Sequence, residues 1–155
     1  MPLEITRVDT ADDSGVNALL RQSDAYHRAL YPPQSIHATP LAAFLGESAA
    51  FYAGWIEGRP VACGGVILRR EDIRYGEIKR LFVAAAHRGN GFAAALMHGL
   101  ERFVREAGVT VMRLETGVSQ PEASRLYHRL GYIVRGPFGD YGPDPLSIFM
   151  EKRLA

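Results

Sequence analysis

Residues 87–96 read HRGNGFAAAL and place two glycines between an apolar run and an alanine-rich segment. The preceding residues, 73–83, are typical of a strand. Apolar residues then repeat at helical spacing from Phe92 to Ala107, and Gly108 stands at a C-cap position. A strand that runs through Arg-Gly-x-Gly into a helix presents unpaired N–H groups and the positive end of the helix dipole at one place. The stretch therefore predicts an anion site, and the alternative is a turn that needs glycine only for its positive φ.

Upstream of this stretch, the pattern predicts a strand, a helix and an antiparallel pair of strands. Helical spacing runs from Val16 to Leu30, and prolines keep residues 31–39 as a loop before a short second helix near 40–46. Residues 49–68 predict two strands around a turn at 57–60. Gly64 and Gly65 in the second of these strands predict a bulge or a close approach of backbones.

Downstream, the pattern predicts a strand over 109–116, a helix and two final strands. Ser119 lies three residues before Glu122, which is the spacing of a capping box, and Gly131 ends this helix. Residues 132–135 and 146–153 form the last strands. No internal repeat or linker interrupts the chain, so residues 1–155 are predicted to form one domain.

The composition limits the class of protein. A chain of 155 residues with 47% hydrophobic and 23% charged residues has enough apolar side chains for one compact core. A net charge of +1 argues against general binding to nucleic acid or to an anionic membrane. The single cysteine, Cys63, excludes a disulfide within the chain, and we find neither a signal-like start nor a long apolar run. We therefore expect a cytoplasmic protein, with a homodimer as the default assembly.

Two other phosphate-binding motifs compete for the glycine pair. A P-loop needs Lys and Ser/Thr after its last glycine, and Phe92 and Ala93 occupy those places. The nicotinamide-dinucleotide fingerprint fits GNGFAA, and Glu115 ends the next strand at a suitable distance. That fingerprint normally opens a doubly wound domain, whereas this one follows an antiparallel sheet. A dinucleotide-binding enzyme stays an alternative at this point.

The order of EIKRLFV, HRGNGFAAAL and LETGVSQPEASRLYHRLGY resembles the GNAT superfamily of acetyl-CoA-dependent N-acetyltransferases. Arg88, Gly91 and Ala93 match its Arg/Gln-x-x-Gly-x-Gly/Ala signature, and LYPPQSIH and FGDYGPDPLSIFMEK are similar to one bacterial branch. The resemblance implies a mixed α/β fold. Its central, mostly antiparallel sheet would be splayed between strands four and five and flanked by about four helices.

The resemblance also implies a reaction: acetyl transfer from acetyl-CoA to a primary amine of a small molecule or peptide, by direct attack and without a metal. A non-catalytic module that senses acyl-CoA is the second alternative. The residues implied to bind the cofactor lie on strand four, on the glycine turn and on the last helix; they are Leu81, Phe82, Val83, Arg88, Gly89, Asn90, Gly91, Phe92, Ala93, Gln120, Ala123 and Tyr127. Gln120 stands where the family often has asparagine.

Three groups are implied to carry the chemistry. Glu77 is the candidate base, although a strand glutamate next to Lys79 can equally be ion-paired. Tyr127 is the candidate acid for the leaving thiolate, and its other interpretation is a core tyrosine. The N–H of Val83 is the candidate oxyanion donor.

The remaining candidates concern the acceptor. Tyr31 and His37 are candidates to line its pocket, and their alternative role is packing within the loop. Arg80 is a candidate to hold an acceptor carboxylate, and its alternative is a solvated side chain or a pair with Glu77 or Asp72. Cys63 lies within VACGGVIL, which favours a small buried side chain over a covalent acetyl carrier. The histidines lack ligand spacing, so no metal site is predicted; they are residues 27, 37, 87, 98 and 128.

Overall fold

The computed structural model describes residues 2–155, which form one seven-stranded sheet with three α-helices on its faces. The strands are β1 (Glu4–Arg7), β2 (Ala49–Ile56), β3 (Arg59–Arg70), β4 (Arg74–Val83), β5 (Val111–Gly117), β6 (Ile133–Arg135) and β7 (Ser147–Arg153). The helices are α1 (Ser14–Leu30), α2 (Phe92–Glu106) and α3 (Pro121–Arg129), with short 3-10 helices at Pro33–Ser35, Leu41–Phe44 and Ala85–His87. No helix in this range is long and apolar enough to cross a membrane.

The sheet order is β1-β2-β3-β4-β5-β7-β6, and only β4 and β5 run parallel within residues 2–155. Their pairing covers three residues on each strand, Gly76–Ile78 against Met112–Leu114. After Ile78 and Leu114 the two strands separate. The expected mixed sheet with a splay between its fourth and fifth strands is confirmed.

A bulge lies between β3 and β4, where Cys63 faces Phe82 but Gly65 faces Lys79. Arg80 and Leu81 therefore share one partner, Gly64, and Arg80 has a φ of 62°. The irregularity falls where the glycine pair predicted it, but the extra residue belongs to β4. A bulge can aim two consecutive side chains at the same face.

The helices divide between the two faces of the sheet. Val16, Leu19 and Leu20 of α1 pack with Phe44 and Phe51 on one face. The other face carries α2 and α3; Met97, Leu100, Val104 and Tyr127 pack there with Met112, Leu114 and Met150. The gap between β4 and β5 is thus bordered by α1 on one side and by α2 and α3 on the other.

Two local predictions were wrong. The second helix near 40–46 is one 3-10 turn, Leu41–Phe44. The capping box does not form, because proline favours the first helical position and the helix therefore begins at Pro121, with Gln120 rather than Ser119 as its N-cap. The N–H of Ser119 donates instead to the Tyr31 hydroxyl, at 3.2 Å.

Candidate active site

A cavity of about 860 Å³ lies at the gap between β4 and β5. It collects nearly all of the predicted site residues: Tyr31, His37, Arg80, Leu81, Phe82, Val83, Arg88, Gly89, Gly91, Phe92, Ala93, Gln120, Ala123 and Tyr127. Glu77 and Asn90 are not part of its wall. The cavity also includes Lys79, Glu115 and Tyr141, which the sequence did not mark as residues of an acetyltransferase site.

The glycine turn leaves backbone donors free at the start of α2. Gly89 and Gly91 have φ values of 81° and 78°, a region that costs other residues strain. Gly91 is the N-cap and provides no side-chain hydrogen bond, and the first helical bond runs from the Ala95 N–H to the Gly91 carbonyl, at 3.1 Å. The N–H groups of Phe92 and Ala93 precede that bond and line the cavity, as a phosphate site requires.

Two side chains of the turn fold back onto the protein. Arg88 donates from Nε to the Val83 carbonyl at 2.9 Å, and its guanidinium lies over the ring of Tyr26 at 4.7 Å. The amide of Asn90 donates to the His87 carbonyl at 3.0 Å. Arg88 therefore borders the cavity with its charge against an aromatic ring, whereas Asn90 stabilises the turn from outside.

The backbone of Val83 faces the gap. Val83 stands opposite Ala62, and the next N–H along, that of Ala84, donates to the Val61 carbonyl at 2.8 Å. Ala62 and Val83 are therefore a non-hydrogen-bonded pair of the antiparallel ladder. In such a pair, the backbone N–H and carbonyl groups of each residue point away from the partner strand. The Val83 N–H is therefore directed toward the side where β5 has separated.

Tyr127 lies on the buried face of α3, with 6% of its surface exposed, and it is one of the residues that line the cavity. No protein hydrogen bond reaches its hydroxyl from any residue in the described range. Burial, and to a lesser extent the nearby charge of Glu115, raise the pKa of Tyr127. A buried tyrosine normally satisfies its hydroxyl, so this one is free to meet a group in the cavity.

Glu115 is one of three acidic residues that line the cavity, with Asp24 and Glu122, and the sequence assigned it only to the dinucleotide alternative. It lies one residue beyond Leu114, the last β5 residue that pairs with β4. Ser147 donates to its Oε2 at 2.7 Å, and burial raises its pKa although His37 and Lys79 oppose the shift. A carboxyl group with a raised pKa in a cavity is suited to accept a proton near neutral pH.

Comparison with known proteins identifies the family. The model of the acetyltransferase (GNAT) family matches residues 16–132. The IAA acetyltransferase of Azospirillum brasilense is 39% identical over 150 residues, which cover 97% of either chain. The chain belongs to the GNAT family.

Solved structures share the fold of this GNAT protein. A Klebsiella pneumoniae protein assigned to the acyl-CoA N-acyltransferases has a TM-score of 0.80 and 34% identity, and the match covers 99% of this chain and 98% of that one. The PaiA N-acetyltransferase of Thermoplasma acidophilum, solved in complex with coenzyme A, has a TM-score of 0.75 at 14% identity, with 99% of both chains covered.

The GNAT protein is thus an acetyl-CoA-dependent acyltransferase, and its own residues fit that co-substrate. Free N–H groups at the start of α2 suit the pyrophosphate, and the separated strand end of β4 offers unpaired backbone groups. The dinucleotide alternative fails because it needs a doubly wound parallel sheet, and β4–β5 is the one parallel pair of residues 2–155.

Glu77 occupies a different position from the one expected of a base. It is 2% exposed, and it lies where β4 and β5 are still paired, opposite Arg113. Both of its oxygens are engaged, one by Arg69 and the other by the hydroxyl of Tyr141, each at 2.6 Å. Glu77 therefore meets the cavity of the GNAT enzyme through Tyr141 and, at 3.8 Å, through Lys79.

The three predicted acceptor residues border the cavity in different ways. The hydroxyl of Tyr31 donates to Gln120 at 3.0 Å, so the Gln120 carbonyl oxygen is already used. His37 packs edge-on against Tyr141, with ring centroids 5.0 Å apart. Arg80 pairs with Asp24 of α1 at 2.7 Å, rather than with Glu77 or Asp72. Its Nε is buried and has no hydrogen-bond partner.

Cys63 is fully buried and lies outside the cavity wall. Its thiol donates to the Arg80 carbonyl at 3.5 Å, and burial raises its pKa to about 12. A thiol held in this way is not a nucleophile at neutral pH. Among residues 2–155, no three His, Cys, Asp or Glu side chains gather in a way that would hold a metal ion.

Proposed function

We propose that the protein is an N-acetyltransferase that transfers the acetyl group of acetyl-CoA to a primary amine of a small molecule or peptide by direct attack in a ternary complex. One observation carries the proposal. The free hydroxyl of Tyr127, the carboxylate of Glu115 and the N-terminus of α2 all open into the same cavity at the split of the sheet.

Acetyl-CoA would bring an activated acetyl group in the form of a thioester. Val83 would donate its N–H to the oxygen on which negative charge develops during attack. Glu115 would accept a proton from the acceptor ammonium, directly or through a water, because only the neutral amine is nucleophilic. Tyr127 would donate its proton to the departing thiolate.

The protonation state of Glu115 affects how readily Tyr127 gives up its proton, so the two proton transfers are coupled. Burial raises the pKa of Tyr127, and the charge of ionised Glu115 adds to that rise. Once Glu115 has taken the amine proton, that cause disappears and Tyr127 becomes the stronger acid. The proton donor is thereby strengthened at the stage at which the leaving group needs it.

Glu77 has a supporting role in this proposal. Its contacts with Arg69 and Tyr141 hold the Tyr141 hydroxyl at the cavity wall. It is a positioning residue, and the geometry favours Glu115 over Glu77 as the base because only Glu115 borders the cavity. Direct attack is favoured over a covalent acetyl-cysteine because Cys63, the single cysteine of the chain, is buried away from the cavity.

The decisive experiment measures CoA release from acetyl-CoA against a panel of amines, together with acetyl-CoA binding by calorimetry. The panel includes amino acids, polyamines, aminoglycosides and peptide N-termini, and IAA is assayed separately because the Azospirillum relative carries that name. We expect acetyl-CoA to bind and at least one amine to release CoA and gain an acetyl group. Binding without turnover on the whole panel would favour the acyl-CoA-sensing alternative.

A further inference from the structure

The charged side chains around the acceptor side of the cavity are mostly paired. Glu77 is bound by Arg69, and Arg80 is bound by Asp24, with N···O distances of 2.6 Å and 2.7 Å. Lys79 has only a long contact with Glu77, at 3.8 Å, and Glu115 has no cationic side chain within 4.0 Å among the described residues. One is a cation and the other an acid, and both belong to the cavity wall. An uncompensated charge at a mostly buried position is costly, so these two groups call for a partner of opposite sign.

Lys79 has unused hydrogen-bonding capacity. Its side chain is 11% exposed, and its ammonium donates to one protein group in the described range, the Tyr141 hydroxyl at 2.9 Å. Glu77 Oε2 lies 3.8 Å away, beyond hydrogen-bond range, and already accepts from Tyr141. An ammonium carries three donors, so two remain for a ligand. Burial lowers the pKa of Lys79, although the charges of Glu77 and Glu115 oppose the shift.

The bulge and the split place Lys79 and Glu115 around one space. Arg80 has φ 62°, so Lys79 and Arg80 lie on the same face, Lys79 toward Tyr141 and Arg80 toward α1. Glu115 lies on that face as well, since Ser147 and the Tyr141 neighbour Phe149 flank it from β7. No ion pair within 4.0 Å joins Lys79 to Glu115 anywhere in residues 2–155. The two charges are therefore near but separate.

We propose that the acceptor is an amino carboxylate, a zwitterion of the amino-acid type, whose ammonium group meets Glu115 and whose carboxylate meets Lys79. The inference rests on the proposed acetyl transfer and names the substrate class of that same site. Lys79 takes the carboxylate instead of Arg80, the candidate that the sequence offered, because Arg80 is already held by Asp24 and by the Leu20 carbonyl of α1. The Tyr141 hydroxyl accepts a hydrogen bond from Lys79 at 2.9 Å and so holds the lysine side chain in place.

The test compares matched acceptors. The twenty common amino acids are assayed singly for CoA release, and the best one is compared with its carboxamide and with its decarboxylated amine. The amide has the less basic amine, so a preference for the acid cannot come from easier deprotonation. We expect kcat/KM to be about 10- to 100-fold higher for the acid, which is the range of a hydrogen-bonded charge pair.

Variants assign the preference to Lys79. The chain has two lysines, and the second, Lys152, binds Glu101 away from the cavity. Lys79→Met is therefore compared with Lys152→Met as the control. It is also compared with Lys79→Arg, which keeps the positive charge. We expect Lys79→Met to raise the acceptor KM and to abolish the preference for the acid, while the KM for acetyl-CoA is unchanged. Lys79→Arg keeps part of the preference, and Lys152→Met keeps all of it. Saturation-transfer NMR of the same amino acid in the presence of CoA gives a binding readout independent of turnover, and melting curves verify folding.

Each outcome decides a separate point. Equal or faster turnover of the amide or amine overturns the carboxylate inference and leaves the proposed acetyl transfer intact. An unchanged preference for the acid in a folded Lys79→Met protein has the same consequence. If the enzyme acetylates amines that lack a carboxylate and uses no amino acid, the carboxylate inference is likewise overturned and acetyl transfer stands. If no amine of any class releases CoA although acetyl-CoA binds, the proposed acetyl transfer itself fails, and the inference fails with it.

Discussion

Glu115 and Tyr127 come from different elements, β5 and α3, and the pKa of the Tyr127 phenol is raised first by burial and then by the charge of Glu115. Both residues border the same cavity, and each has a property typical of catalytic residues. Glu115 is half-buried with a raised pKa. The Tyr127 hydroxyl has no protein hydrogen-bond partner in residues 2–155. Glu115 follows Leu114, the last β5 residue that pairs with β4, and Tyr127 lies on the helix that follows β5. This relationship generates the first three predictions.

Replacement of Tyr127 by phenylalanine should reduce turnover without loss of acetyl-CoA binding. The hydroxyl is bound to no protein group that the substitution would orphan, so the fold should tolerate the change. Loss of a general acid typically costs about 10²- to 10⁴-fold in rate, and we expect kcat to fall by about 100-fold or more. Steady-state kinetics and calorimetry on the same preparation measure both effects. A wild-type kcat would return Tyr127 to a purely structural role.

Replacement of Glu115 by glutamine should lower kcat/KM at pH 7 by about 100-fold, because the amine then loses its proton acceptor. Glutamine can still accept the hydrogen bond from Ser147. In the wild type, activity should rise with pH as Glu115 ionises, and this rise should be absent from the variant. The deficit should shrink above the pKa of the acceptor amine, where a free amine needs no base.

The matched comparison is Glu77→Gln. Because Glu77 lies outside the cavity, we expect its loss to reduce the rate by less than about 10-fold and to act mainly on stability, since it leaves Arg69 without its partner. If Glu77→Gln removed the pH dependence while Glu115→Gln retained it, Glu77 would be the base.

The same Glu115→Gln protein should be more stable than the wild type at pH 8. A carboxyl whose pKa is raised by folding binds its proton more tightly in the native state, so native stability falls as the pH rises from the ordinary pKa through the raised one. The gain from glutamine is therefore present at pH 8 and absent below about pH 4, where both states are protonated. Melting curves at the two values test this, since each ~1 kcal/mol moves Tm by roughly 2–4 °C in a domain of this size. An equal gain at both values would mean that charge is not its cause.

The position of the strand split explains which parts of the site the sequence could predict. Alternation along a strand places Glu77 on the α1 side of β4 and Glu115 on the same side of β5. Pairing ends at Ile78 and Leu114, so Glu77 is enclosed just before the split and Glu115 is exposed to it just after. Nothing in the local pattern marks where two parallel strands part. The choice between the two glutamates therefore required the pairing of residues far apart in sequence.

Local signals succeeded where local chemistry decides the structure. The Gly89 and Gly91 turn, the spacing of α2 and the bulge near Gly64 all depend on neighbours in the chain, and each appears in the structure. The contact of Arg80 with Asp24 spans 56 positions and replaces both partners that the sequence suggested. The role of Lys79 was missed for the same reason, because Tyr141 lies 62 positions away.

The phosphate cradle can be tested at Gly91 because its φ of 78° is strained for any residue with a Cβ, while the space around it is open. Alanine in this conformation costs about 1–2 kcal/mol, or the turn shifts and displaces the N–H groups at the start of α2. We expect Gly91→Ala to lower Tm and to weaken acetyl-CoA binding about 10-fold or more. Calorimetric titration with acetyl-CoA measures the affinity.

Gly99 provides the control, since it lies within α2 and an added Cβ would likewise meet nothing within 4 Å. Alanine is the better helix former there by roughly 0.5–1 kcal/mol, so Gly99→Ala should raise Tm and leave the affinity for acetyl-CoA unchanged. The contrast separates backbone geometry from the mere addition of a methyl group. Unchanged acetyl-CoA affinity in Gly91→Ala would show that the donors at this helix start do not hold the pyrophosphate.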